Sequence, residues 1–339
     1  MTMVGVVVAA LSTLLICPRV IQWLERGAVL DVPVERSSHV HPVPRGGGLA
    51  PAIGACLGGL AVVSAGVRPV LAVLAVAAAY GLLGLREDLV GLPPLVRLAA
   101  QGAIGAVGTV ALLLGEDIRP LLALAAVVTC LWLVGFVNVF NFMDGINGIS
   151  GVQVAVAGAA WAAVGLWQDE SGLVAVGAVV AAAAMAFLPF NFPSAKVFPG
   201  DVGSYFLGGW LAATVVVAAR SGLTPEMALA PVLLYLADSG TTLLRRIRRR
   251  APLLEAHREH VYQQLVLGGW SHAKTTATVG AAIVTCSLLG AVTMTGDTTA
   301  RIAADGALVV VLLGYLLSPR LQGRPRVAGP APVMPGDPR

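Results

Sequence analysis

Charged side chains are what this 339-residue sequence has least of: 12% of its residues, against about a quarter in a soluble domain. That deficit excludes a soluble globular protein, and a net charge of only +4 gives no reason to expect a nucleic-acid partner. The apolar runs lack the period-two alternation of barrel strands, which excludes a transmembrane β-barrel. Cysteine is scarce too. Cys17, Cys56, Cys130 and Cys286 all fall inside apolar runs without metal-ligand spacing, so they read as small packing residues. No basic stretch precedes the first apolar run, which is therefore expected to be a retained helix and not a cleaved signal. No internal repeat is visible, which counts against a carrier built from two related halves.

What is present is apolar sequence in long blocks, with a mean hydropathy of +0.84. Blocks of about 17–20 residues can satisfy their backbone in lipid only as helices. The expected fold class is all-α, a polytopic membrane protein of about eleven spans. They fall near residues 2–19, 48–65, 69–85, 97–114, 120–137, 150–167, 172–190, 203–219, 225–243, 275–294 and 302–318. Residues 1–318 form one integral membrane domain, and 319–339, rich in Pro and Arg, read as a disordered tail.

The connections alternate between brief and chemically dense. Of 22 Lys and Arg, four (Arg68, Arg119, Arg220 and Arg301) belong to the brief set. The positive-inside rule then puts the dense connections and the C-terminus in the cytoplasm and the N-terminus outside, as an odd span number requires. That bias alone would gather the arginines, but not the Asp, Asn, His and Gly motifs that accompany them.

Five dense segments carry those motifs. Residues 31–48, DVPVERSSHVHPVPRGGG, hold three prolines that forbid regular helix, a glycine triplet whose amides could cradle phosphate, and Arg36 and Arg45. An ordinary basic surface loop would look much the same. Residues 86–101 carry the adjacent carboxylates Glu87 and Asp88, suited to a general base or a shared cation, or simply to a helix cap. In 138–150, NVFNFMDGINGIS, Asn138 and Asn141 lie about one helical turn apart and Asp144 and Asn147 each precede a glycine. So many polar groups at a membrane edge are costly unless they bind something.

The fourth segment, 190–203 (FNFPSAKVFPGDVG), places Lys196 and Asp201 before an apolar run. Asp201 is the expected metal ligand; a helix-capping role is the bland alternative. The fifth, 244–274, opens on RRIRRR, fit for anionic lipid head groups, and continues EAHREHVYQQL. His257 and His260 lack a third ligand for zinc and suit phosphate contact or proton transfer. Asp238, inside the ninth span, is an intramembrane charge and so a candidate in its own right.

Taken in order, RSSHVHPVPRGGG, EDLVGLPPLVRLAAQ, NVFNFMDGING, FNFPSAKVFPGDVGS and EAHREHVYQQL resemble the polyprenyl-phosphate N-acetylhexosamine-1-phosphate transferase family. That family includes the pentapeptide transferase of peptidoglycan synthesis and the enzymes that start O-antigen and teichoic acid chains. The His-x-x-His form followed by Tyr-Gln looks more like the O-antigen-initiating branch, hence lipopolysaccharide or other cell-wall biogenesis. The resemblance implies transfer of a sugar 1-phosphate from a UDP-N-acetylhexosamine to polyprenyl phosphate at the cytoplasmic face of the cell membrane, with release of UMP. It implies Mg2+, with Mn2+ able to substitute, and leaves room for a homodimer.

Residue by residue, the resemblance makes Asp201 and Asn141 the metal ligands. Glu87, Asp88, Asp144, His257 and His260 become the catalytic set, and Arg45, Asn138, Asn191, Lys196 and Arg258 the substrate contacts. Glu87 and Asn147 stand where the family usually has Asp, so Asp88 is favoured over Glu87 and no charged role falls to Asn147. A transporter or flippase for an anionic lipid-linked or nucleotide-sugar substrate is the rival reading. A CDP-alcohol phosphotransferase would need an Asp-Gly and Ala-Arg signature that the chain lacks.

Overall fold

A computed structural model describes residues 2–31, 42–64, 69–113, 122–252 and 257–321. Arg36, Arg68, Arg119, Glu255 and residues 322–339 of the expected tail lie outside these.

The described residues fold almost wholly as helix. They are α1 (Thr2–Arg26), α2 (Leu49–Val63), α3 (Pro69–Val90), α4 (Pro94–Leu113), α5 (Leu122–Met143), α6 (Ile149–Trp167), α7 (Ser171–Asn191) and α8 (Gly200–Arg220). After them come α9 (Pro225–Leu229), α10 (Leu233–Arg248), α11 (Val261–Leu267), α12 (His272–Val292) and α13 (Thr298–Leu321). Among the described residues, ten helical segments are long and apolar enough to cross a membrane. The eleventh expected span, α2, is shorter: its 15 residues rise about 22 Å.

Each expected span has its helix, but the helices at the dense connections run on past the apolar block. Thus Glu87 and Asp88 sit in the last turns of α3, Asn138 and Asn141 in α5, and Asp201 in the first turn of α8. Hydropathy falls at the first polar residue, whereas the backbone hydrogen-bond ladder continues until a glycine or proline stops it. The ninth span is not one helix. A single 3-10 turn at Ala230–Val232 separates α9 from α10. The carbonyl of Pro231 receives the side-chain amide of Gln153 at 2.7 Å, so the break leaves this buried acceptor satisfied.

Helix α8 is the axis of the molecule: every residue from Gly200 to Val215 is buried. It packs chiefly on α3 and α5, while α6 with α7 and α1 with α2 form close pairs around it. The outer helices turn apolar side chains outward, among them Leu15, Val107, Val110, Leu131 and Val310. In lipid such faces need no partner.

Candidate active site

The glycine-rich segment is fixed first by its backbone. Leu30–Asp31 (β1) pairs antiparallel with Val43–Pro44 (β2), and Arg45 forms a parallel bridge to Phe198. The amides of Gly46 and Gly47 donate to the carbonyl of Phe198 at 3.2 and 2.8 Å, and that of Gly48 to Pro199 at 2.9 Å. These amides are therefore spent within the protein and do not form the phosphate cradle the glycine triplet suggested. A Cβ on Gly48 would come within 2.2 Å of Gly203 Cα, and one on Gly84 within 2.1 Å of the Asp201 carbonyl. Bare backbone at both places lets α3 and the glycine loop close on the start of α8.

That closure brings together residues more than a hundred positions apart. Both oxygens of Asp88 accept α8 amides: Oδ1 from Asp201 N at 2.9 Å and Oδ2 from Val202 N at 2.8 Å. Asp88 on α3 thus caps α8, the role that sequence alone offered to Asp201. Gly200, just before, adopts φ +70°, a left-handed conformation natural to glycine. Arg45 lies across the two carboxylates, its Nε 3.1 Å from Asp88 Oδ1 and its Nη2 2.8 Å from Asp201 Oδ2. Asn141 donates its amide to Asp201 Oδ1 and to Ser204 Oγ, both at 2.8 Å. Asn141 therefore holds the Asp201 carboxylate through its amide nitrogen, the donor end of that side chain.

Asp144 follows the end of α5, where Ser150 donates to its Oδ1 at 2.7 Å. Burial pushes its carboxyl up to about 7, only partly offset by that hydrogen bond, and the Asp201 charge adds to the rise. Asp88, Asp144 and Asp201 therefore share one electrostatic neighbourhood. Glu87 pairs with Arg97 at 3.1 Å and keeps a buried Oε2 without a hydrogen-bond partner. Among the described residues no three His, Cys, Asp or Glu side chains converge on a single point.

Other expected contacts have different surroundings. Asn138 donates to Gln101 Oε1 at 2.8 Å and to its own helix at the Val134 carbonyl. Asn191 is buried and ties two loops together: its Oδ1 accepts from Gly148 N at 2.8 Å and its Nδ2 donates to the Val197 carbonyl at 2.9 Å. This leaves Asn191 a scaffold for the motif loops, with no free polar atom turned to a substrate. Lys196 is exposed on the segment between α7 and α8.

A second cluster forms around the fifth motif. The rings of His257 and His260 stack at 5.1 Å, and His260 lies 6.4 Å from Phe142 at the end of α5. Burial, then the charge of Arg246, hold the His257 imidazole below the usual histidine range. Tyr262 joins the two clusters: its hydroxyl donates to the Phe142 carbonyl at 3.0 Å, and burial raises it above the usual phenol range. Arg258 has an Nη2 that is buried without a hydrogen-bond partner, a cationic donor left open. Sequence reasoning missed Ser150, Ser204 and Tyr262. It also missed His272 and Thr276 on α12, which meet the Asn147 backbone at 3.5 and 2.8 Å. Hydroxyls this common in sequence give no local signal of a site.

The family model described as glycosyl transferase family 4 matches residues 70–219. Among curated proteins, a Bacillus subtilis protein named "Probable undecaprenyl-phosphate N-acetylglucosaminyl 1-phosphate transferase" is 26% identical over 280 residues, 79% of this chain and 78% of that protein. Decaprenyl-phosphate N-acetylglucosaminephosphotransferase of Mycolicibacterium smegmatis is 29% identical over an alignment of 347 positions, gaps included, that covers 88% of this chain and 84% of that protein. The enzyme of the same name from Mycobacterium leprae is 30% identical over 289 residues, 71% of each chain.

Proposed function

Because the chain belongs to the polyprenyl-phosphate N-acetylhexosamine-1-phosphate transferases of glycosyl transferase family 4, we propose that it draws its sugar phosphate from a UDP-N-acetylhexosamine. The reaction moves the sugar 1-phosphate onto polyprenyl phosphate, forms polyprenyl-diphosphate-sugar and releases UMP. The observation that carries this reading is the set Arg45, Asp88, Asn141 and Asp201, drawn from four segments onto one end of the helix bundle.

The residues present suit Mg2+. Their donors are hard oxygens, and this ion is commonly bound by one or two carboxylates together with substrate phosphates, without a cage of protein ligands. Asp201 would hold it, with its carboxylate already presented to positive charge by Arg45 and Asn141. When bound, it would neutralise phosphate charge as the phosphoryl group transfers. Asp88 keeps α8 in place from beneath, so Asp201 is fixed before any substrate arrives. Arg45 and Arg258 supply charge-assisted donors for diphosphate oxygens. Asp144, whose proton is held until about pH 7, is suited to take up the acceptor phosphate's proton near neutrality.

The isoprenoid acceptor explains why such chemistry sits at a bilayer edge, and the Lys and Arg bias supports a cytoplasmic placement of that edge. A transporter would not require this concentration of carboxylates and amides at one end. Purified protein incubated with UDP-N-acetylglucosamine, Mg2+ and polyprenyl phosphate is expected to release UMP. If several UDP-N-acetylhexosamines yield none while the protein stays folded, the proposal is wrong.

A further inference from the structure

Asp238 has no part in the chemistry above, yet it is wholly buried in α10 and densely bonded. Its Oδ1 lies 3.1 Å from His260 Nδ1 and accepts from Val261 N at 3.1 Å; Thr242 Oγ1 donates to it at 3.4 Å. Its Oδ2 accepts from Val261 N at 3.0 Å and from the Tyr315 hydroxyl at 2.7 Å. One carboxylate therefore joins α10, the start of α11 and the last helix, α13. The Val261 amide can only donate, so the oxygen that it meets is an acceptor. Were Nδ1 unprotonated, its lone pair would face that same oxygen in a dry site, a costly arrangement.

We infer that Asp238 is the positioning residue for His260: it holds the imidazole proton on Nδ1 and leaves Nε2 as the working atom. Nε2 lies across the ring from Asp238, on a side chain packed beside His257, Tyr262 and Phe142. As imidazolium, with Nδ1–H kept on Asp238, the ring donates its Nε2–H to a phosphate oxygen of the nucleotide sugar, a role that rests on the transferase reading. The Tyr315 hydroxyl steadies the carboxylate, so the final helix belongs to the site although its sequence carries no motif.

The protein has five histidines, and the resonance lost in a His260→Asn variant assigns this one in 15N-histidine-labelled protein in lipid nanodiscs. The neutral ring is expected as the Nδ1–H tautomer; the Nε2–H tautomer would overturn the inference. Asp238→Asn keeps an oxygen for the Val261 amide and is expected to slow UMP release about 10–100-fold, as loss of an orienting partner does. In the His260→Asn background the same change should cost less than about twofold, because its effect passes through the histidine. An undiminished loss there would mean Asp238 acts otherwise, and the inference fails. Tyr315→Phe, a gentler change, should repeat the pattern at smaller size if Asp238→Asn does not fold. Should no donor give UMP at all, the transferase reading falls while the tautomer still decides this one.

Discussion

At the scale of single residues, the acidic pair divides its labour. Asp88 is almost fully buried and gives both oxygens to the start of α8, whereas Glu87 holds a half-exposed arginine. Asp88→Asn sets an amide N–H against a helix N–H and is expected to cost about 1–3 kcal/mol of stability. Glu87→Gln loses a pair worth about 1 kcal/mol or less. Thermal unfolding should rank them so, and UMP release should fall further for Asp88→Asn. Asp201→Ala should reduce turnover by about 10²–10³ or more with the fold retained, as expected for a residue presented to transferring charge. Near-normal turnover would remove it from the centre.

Asp144 gives a pH prediction. Its folded pKa, about 7, lies above the ordinary 3.8, so the folded state holds the extra proton between those values. The associated stability is complete below the unfolded pKa and is lost as pH rises through about 7. Without added divalent metal, Asp144→Asn should therefore flatten the decline in thermal stability between pH 5 and pH 8. At pH 8 it should gain about 1–3 kcal/mol by removing a buried charge. A parallel decline in both proteins would contradict this.

At the scale of elements, the decisive contact is the glycine-lined seat of α8. Gly84 leaves no space for a side chain beside the Asp201 carbonyl, whereas a Cβ on Gly102 of α4 would meet nothing within 4 Å. Gly84→Ala should cost about 1–3 kcal/mol through overpacking and lower UMP release by displacing Asp201. Gly102→Ala should leave both unchanged or add stability, since alanine favours helix. Equal effects in melting and activity assays would argue against a tight seat at α8.

At the scale of the whole molecule, a buried central helix starts at the site and outer helices present apolar faces. Lys196 and Gln168 lie exposed beyond opposite ends of α7. In a background cleared of native cysteines, Lys196→Cys should react with an impermeant thiol reagent only in inside-out vesicles, and Gln168→Cys only in right-side-out ones. The reverse pattern would place the site outside, out of reach of a cytoplasmic nucleotide sugar.

By itself the sequence determined the all-helical membrane fold and the positions of its apolar blocks, ten of which form helices long enough to cross a membrane among the described residues. Hydropathy and charge are local properties that survive without knowledge of neighbours. The tertiary structure decided the partners: that Asp88 caps a helix 113 residues away, that Arg45 bridges two carboxylates, and that Asn191 braces loops. It also decided that Asp238 faces a tyrosine 77 positions on. Such contacts depend on which helices approach closely enough to touch. That approach is set by small residues on facing surfaces, and no stretch of sequence names its own neighbour across the bundle.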